Sequence, residues 1–170
     1  MAYEVSRRSF LKGAVTLTAA VAASGLLAGC GDSKGGVAVA NYTVKSEGIS
    51  TGMIDPDHYY IQPKLVIKCE KLNVFQWFKN KNFGDIFEAY VAGSNEKLYV
   101  ENKNTKFDTT MVKGEEVTCM PQFYTTDKTL WEQLKSGEKK LMMTIKFGEK
   151  DKNKGTFEVD PSTGKIKYIV

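Results

Sequence analysis

Short alternating runs of apolar and polar residues dominate the chain from about residue 42 to its end, broken by Gly, Asn, Asp and Pro. That period of two places apolar side chains on one face of a strand and polar ones on the other. Leu65, Ile67 and Cys69 share one face, with Lys68 and Glu70 opposite. Phe87, Ala89 and Val91 repeat the pattern, followed by Leu98 and Val100. Val117 and Cys119 lead into Phe123 and Tyr124, where Pro121 suits an edge strand or bulge. The cleanest run is Leu141, Met143, Ile145 and Phe147. A closing hairpin follows: Phe157 and Val159 enter the turn Asp160-Pro161-Ser162-Thr163-Gly164, and Ile166, Tyr168 and Val170 return. One short helix is expected, opened by a capping box at Thr129–Glu132, carrying Leu130 and Leu134 on one face and ended by Gly137. Strands at this spacing predict a mainly β domain, a single antiparallel β-sandwich over residues 42–170.

The first thirty residues follow a different pattern. Arg7, Arg8 and Lys12 precede a stretch without charge that runs from Gly13 to Gly31. Ala, Gly and hydroxyl residues make that stretch only weakly apolar, and it has no polar face that could make it a surface helix. A positive start, a modest apolar middle and a small-residue end form an export signal and not part of a fold. Arg7, Arg8, Phe10, Leu11 and Lys12, with Ser6 and Ser9, resemble a twin-arginine signal. Leu27, Ala28, Gly29 and Cys30 resemble the lipobox of bacterial lipoproteins. The resemblance implies that residues 1–29 are removed, that Cys30 receives a diacylglycerol group, and that the protein is held on the outer face of the bacterial cell membrane. Two acyl chains, at about 0.8 kcal/mol per buried CH₂, anchor stably where one does not. Residues 30–41 are then expected to be a flexible tether. The twin-arginine route carries folded cargo, so folding must not depend on a disulfide.

Loss of the signal removes three cations and one anion, lowering the net charge from +4 to +2. So small a value, with no arginine after Arg8, gives no footprint for nucleic acid. Cys69 and Cys119 invite two readings. A disulfide closing a loop of about 50 residues would contribute about 4 kcal/mol, and two buried thiols would act as small hydrophobes. With Trp77, these cysteines loosely resemble the bridged core of immunoglobulin-like domains, which implies the sandwich architecture but transfers no functional residue.

Candidate chemistry is sparse. Asp55, Asp57 and the single histidine, His58, form a weak metal-ligand set, which Pro56 marks first as a turn. Phe75 and Trp77 could stack on a ligand if exposed, or fill one end of the core. Glu115 and Glu116 follow Gly114 at a turn entering a strand, where neighbouring side chains point to opposite faces, so they cannot act together as acid and base. No catalytic constellation and no cofactor is expected. The leading expectation is a non-catalytic module that contacts a protein or wall component outside the cell. An accessory subunit of an exported redox assembly and a surface hydrolase are the alternatives.

Overall fold

The structure, a computed structural model, describes residues 36–39, 41–71, 81–94, 96–107, 112–147 and 154–170. The export signal, the lipobox, Cys30, Phe75 and Trp77 lie outside these residues.

Among the described residues, the alternating runs form the strands expected of them; four further strands, two at the N-terminal side and two of only two residues, and a second, four-residue helix were not expected from the pattern. β1 is Val37–Val39, β2 Tyr42–Asp55 and β3 His58–Cys69. After the two-residue β4 (Lys81–Asn82) come a short helix α1 (Phe83–Ile86), β5 (Phe87–Val91), β6 (Lys97–Val100) and β7 (Lys106–Phe107). β8 (Glu116–Cys119) and β9 (Phe123–Thr125) precede helix α2 (Lys128–Ser136). β10 (Leu141–Lys146), β11 (Lys154–Asp160) and β12 (Lys165–Tyr168) complete the chain.

Ten of these strands make one antiparallel sheet in the order β1-β2-β3-β9-β6-β5-β10-β11-β12, with β8 also on β3, beside β9. The mainly β, antiparallel expectation is therefore met. The division into two sheets is not: β6 pairs with β5 on one side and with β9 on the other, so hydrogen bonding runs unbroken across the domain. The sheet instead curls on itself. Val39 of β1 packs against Gly155 of β11, from the far end of the strand order, and a Cβ built on Gly155 would lie 2.8 Å from Val39 Cγ1. Curling lets one sheet enclose its own apolar face, which right-handed strand twist favours. That face carries Val44, Ile61, Leu65, Ile67, Phe87, Phe123, Met143, Ile145 and Phe157, all at most 1 % exposed.

Part of the segment expected to be a tether, Val37–Val39, is strand. β1 pairs Val37, Ala38 and Val39 with Val44, Thr43 and Tyr42, so the sheet begins at Val37 and not at residue 42. The polar stretch after Val44 hid β2 from its sequence pattern. Beyond that point β2 is half-exposed or exposed throughout, and a strand that buries little shows little alternation.

Helix α2 closes one side of the core with Leu130 and Leu134. Its cap is Asp127 and not Thr129: the Asp127 side chain accepts the Leu130 backbone N–H at 3.0 Å. Thr125 Oγ1 in turn accepts the Asp127 N–H at 3.1 Å, fixing the capping residue two positions earlier. Gly137 ends the helix in the left-handed conformation expected of it, with φ 81°. Gly164 does the same at the β11–β12 turn, with φ 69°.

Candidate functional site

Ala89-Tyr90 on β5 and three dipeptides on neighbouring strands share one construction, a buried residue followed by an outward tyrosine, and the latter three fall in one row. These three are Tyr59-Tyr60 on β3, Leu98-Tyr99 on β6 and Phe123-Tyr124 on β9. Successive strand residues point to opposite faces, so anchoring Tyr59, Leu98 and Phe123 in the core turns the next residue to solvent. Strand register then aligns the three. Tyr60 stands opposite Tyr124, and Tyr124 opposite Tyr99. Gly52 of β2 continues the row on the other side of Tyr60.

The Tyr99 and Tyr124 ring centroids are 5.3 Å apart with planes at 30°. Tyr60 leans over Gly52, where a Cβ would sit 2.8 Å from its ring, so the glycine lets the ring lie flat along the sheet. Tyr99 is 68 % exposed, an unusual amount for a tyrosine in a sheet. The backbone beneath is held firmly. Trp131 Nε1 of α2 donates to the Tyr60 carbonyl at 3.2 Å, and Tyr59 Oη donates to the Pro56 carbonyl at 3.1 Å. Asn102 and Gln62 both donate to the Met120 carbonyl, and Asn102 Oδ1 accepts the Gln122 N–H at 2.9 Å. The result is an aromatic strip bordered by amides.

His58 flanks the middle of the row, its ring 5.4 Å from that of Tyr124. Asp55, Pro56, Asp57 and His58 form the tip of the β2–β3 hairpin. Asp55 Oδ1 meets His58 Nδ1 at 2.7 Å and also accepts the Asp57 backbone N–H at 2.9 Å. The His58 hydrogen bond, then that backbone bond, hold the Asp55 carboxyl below the usual carboxylate range. The same contact with Asp55 raises His58, with smaller help from the charges of Glu101 and Asp57. The structure thus joins Asp55 to His58, while Asp57 contributes its backbone to the turn. Among the described residues no three His, Cys, Asp or Glu side chains converge as a metal site would require.

The two cysteines are free and buried. Both lie on the β3–β8 ladder, but Cys119 stands opposite Leu65, four residues along β3 from Cys69. At about 3.3 Å per residue that separates them by about 13 Å, twice the reach of a disulfide. Cys69 Sγ instead donates to the Lys71 carbonyl at 3.2 Å. Burial pushes the Cys119 thiol up to about 12, which makes it an inert hydrophobe. Glu115 sits in the turn before β8, where its carboxylate accepts the Val112 N–H at 3.0 Å.

The tyrosine row escaped sequence reasoning, which looked for dense aromatic clusters such as Phe75 and Trp77. Its signal was the repeated apolar-then-tyrosine step, and only the strand order brings the three copies together. Comparison of the chain with known protein families, curated proteins and solved structures finds no match.

Proposed function

We propose that the mature chain is a non-catalytic lipoprotein, anchored through diacylglycerol on Cys30 at the outer face of the membrane, that binds a wall glycan through Tyr60, Tyr124 and Tyr99. The observation that carries this reading is the alignment of three outward tyrosines in register on the outer face of the sheet. Such rings offer an apolar face for the CH-rich side of a sugar and a hydroxyl that stays hydrated. A row of them spaced by strands suits a ligand that repeats along a line. The amides of Gln62, Gln122 and Asn102 beside the row supply hydrogen-bonding chemistry without charge. Anchoring at Cys30 keeps the module within the layer where such polymers lie.

The test has two arms. Intact-mass measurement of detergent-extracted protein should find Cys30 as the first residue, carrying diacylglycerol. Co-sedimentation with isolated wall polysaccharide should retain the parent chain, and Tyr99→Ala should lose at least about tenfold in affinity, the loss of one buried aromatic contact of about 1.5 kcal/mol. Equal retention of the variant would sink the assignment of this face. Recovery of a cofactor-bearing protein with a chain that ignores the polymer would replace it with the accessory-subunit role.

A further inference from the structure

Beyond β1, one edge of β2 carries no hydrogen-bonded strand among the described residues, although β12 comes near β2. β1 covers only Tyr42, Val44 and the residue between them, whereas β2 continues to Asp55. Among the described residues no strand pairs with Lys45–Asp55 on that side. Gly36, just before β1, has a φ of 77°, outside the extended region. An unpaired edge of this length is a template for another strand unless it is blocked. Its centre, Gly48 to Met53, has no charge and no proline, and Met53 and Ile54 are exposed apolar side chains.

Proline fixes which groups point outward. Pro63 of β3 stands opposite Ile49 and has no N–H to donate. It fits where the backbone of that pair points away from the β2–β3 ladder. Backbone direction alternates along a strand, so Ile49, Thr51 and Met53 aim their N–H and C=O groups at the open edge. The sequence there is nearly self-complementary when read in antiparallel fashion about Ser50. Thr51 falls opposite Ile49 of a second copy, Gly52 opposite Gly48, and Lys45 opposite Asp55. Unlike charges meet at both ends, and the residues that offer backbone hydrogen bonds meet in the middle. The irregularities at Ser46/Gly48 and Met53/Asp55 lie at the two ends of this regular stretch.

We propose that the open edge of β2 is a homodimer seam, in which two copies pair antiparallel about Ser50 and join their sheets into one. The seam uses the backbone edge of β2, meets the tyrosine row only at Gly52, and stands whether or not that row binds a glycan. Ser50 meets itself across the dyad as a non-hydrogen-bonded pair, with Cα atoms about 4.5 Å apart, within the span a disulfide accepts.

The experiment is cysteine cross-linking of the full-length protein in the producing cells. Ser50→Cys should give a disulfide-linked dimer under copper-phenanthroline, well above the parent chain, whose Cys69 and Cys119 are buried. Lys97→Cys, exposed on β6 away from the edge, should stay at the parent background. Adding Thr51→Pro to Ser50→Cys removes one seam hydrogen bond per copy without touching the β3 ladder, and should cut the cross-linked fraction several-fold. Thermal unfolding of Thr51→Pro checks that the monomer fold survives. A Ser50→Cys chain that cross-links no more than Lys97→Cys would overturn the proposal. So would a folded Thr51→Pro chain that cross-links undiminished.

Discussion

Replacing Gly155 by Ala tests the curl of the sheet, because the added methyl must enter space held by a strand from the other end of the order. The new Cβ would lie 2.8 Å from Val39 Cγ1, 3.1 Å from Val39 Cγ2 and 3.2 Å from Phe157 Cε2. Val39 is buried and β-branched, so its rotamer cannot swing the methyls aside and β1 must shift. Overpacking of this kind costs about 2 kcal/mol, less the roughly 0.5–1 kcal/mol that Ala gains over Gly in a strand. Val39→Ala alone removes two buried methyl groups, a loss of about 1.5–2 kcal/mol with its cavity. In the double variant the methyl added at position 155 occupies the space that Val39 vacates. Its stability should then match or exceed that of Val39→Ala, giving a coupling of about 2 kcal/mol. Urea unfolding of the mature chain, followed by far-ultraviolet circular dichroism, measures all four corners of the cycle. Additivity within about 0.5 kcal/mol would mean that Val39 and Gly155 do not touch, and the curled sheet would be refuted.

Other outcomes follow from single groups. Asp127→Ala should cost about 1 kcal/mol through loss of the α2 cap, whereas Thr129→Ala should cost much less, by the same unfolding assay. His58, as the single histidine, gives an isolated ring signal by nuclear magnetic resonance. Its titration should lie above the ordinary value of 6.5 and fall back in Asp55→Asn. The His58⁺–Asp55⁻ attraction is complete below that ordinary value and is lost as pH rises through the raised one. Burial raises Cys119 from 9.0 and Tyr42 from 10.0, each to about 12. Both groups ionise earlier in the unfolded chain, so stability should fall as pH climbs from about 9 towards 12. Cys119→Ala and Tyr42→Phe should each flatten that alkaline slope in pH-dependent unfolding. Gly52→Val should push the Tyr60 ring out of its place and weaken polymer binding while leaving Tyr99 intact.

The strands with one well-buried face were legible as alternation: Leu65 to Cys69, Phe87 to Val91, Leu141 to Phe147 and the final hairpin. Period two marks burial on one side, and these segments have it. β2 lacked the mark after Val44 because its residues line an edge. The two-sheet expectation failed for a different reason. Nothing in Lys97–Val100 signals that its two edges join what would otherwise be separate sheets, since pairing partners are set by distant strands. The helix boundary slipped by two residues because Asp127 and Thr129 can both cap, and the Thr125 hydroxyl decides between them. At the candidate site, the hairpin turn at Asp55–His58 could be read from Pro56. The tyrosine row could not, because Tyr60, Tyr99 and Tyr124 are scattered along the chain and become neighbours only through register.

The most direct measurement is oxidative footprinting of the lipoprotein with and without isolated wall glycan. Tyr60, Tyr99 and Tyr124 should become protected together, while Tyr168, half-exposed on the distant β12, keeps its reactivity. Unchanged oxidation of all three in the presence of saturating polymer would contradict the account.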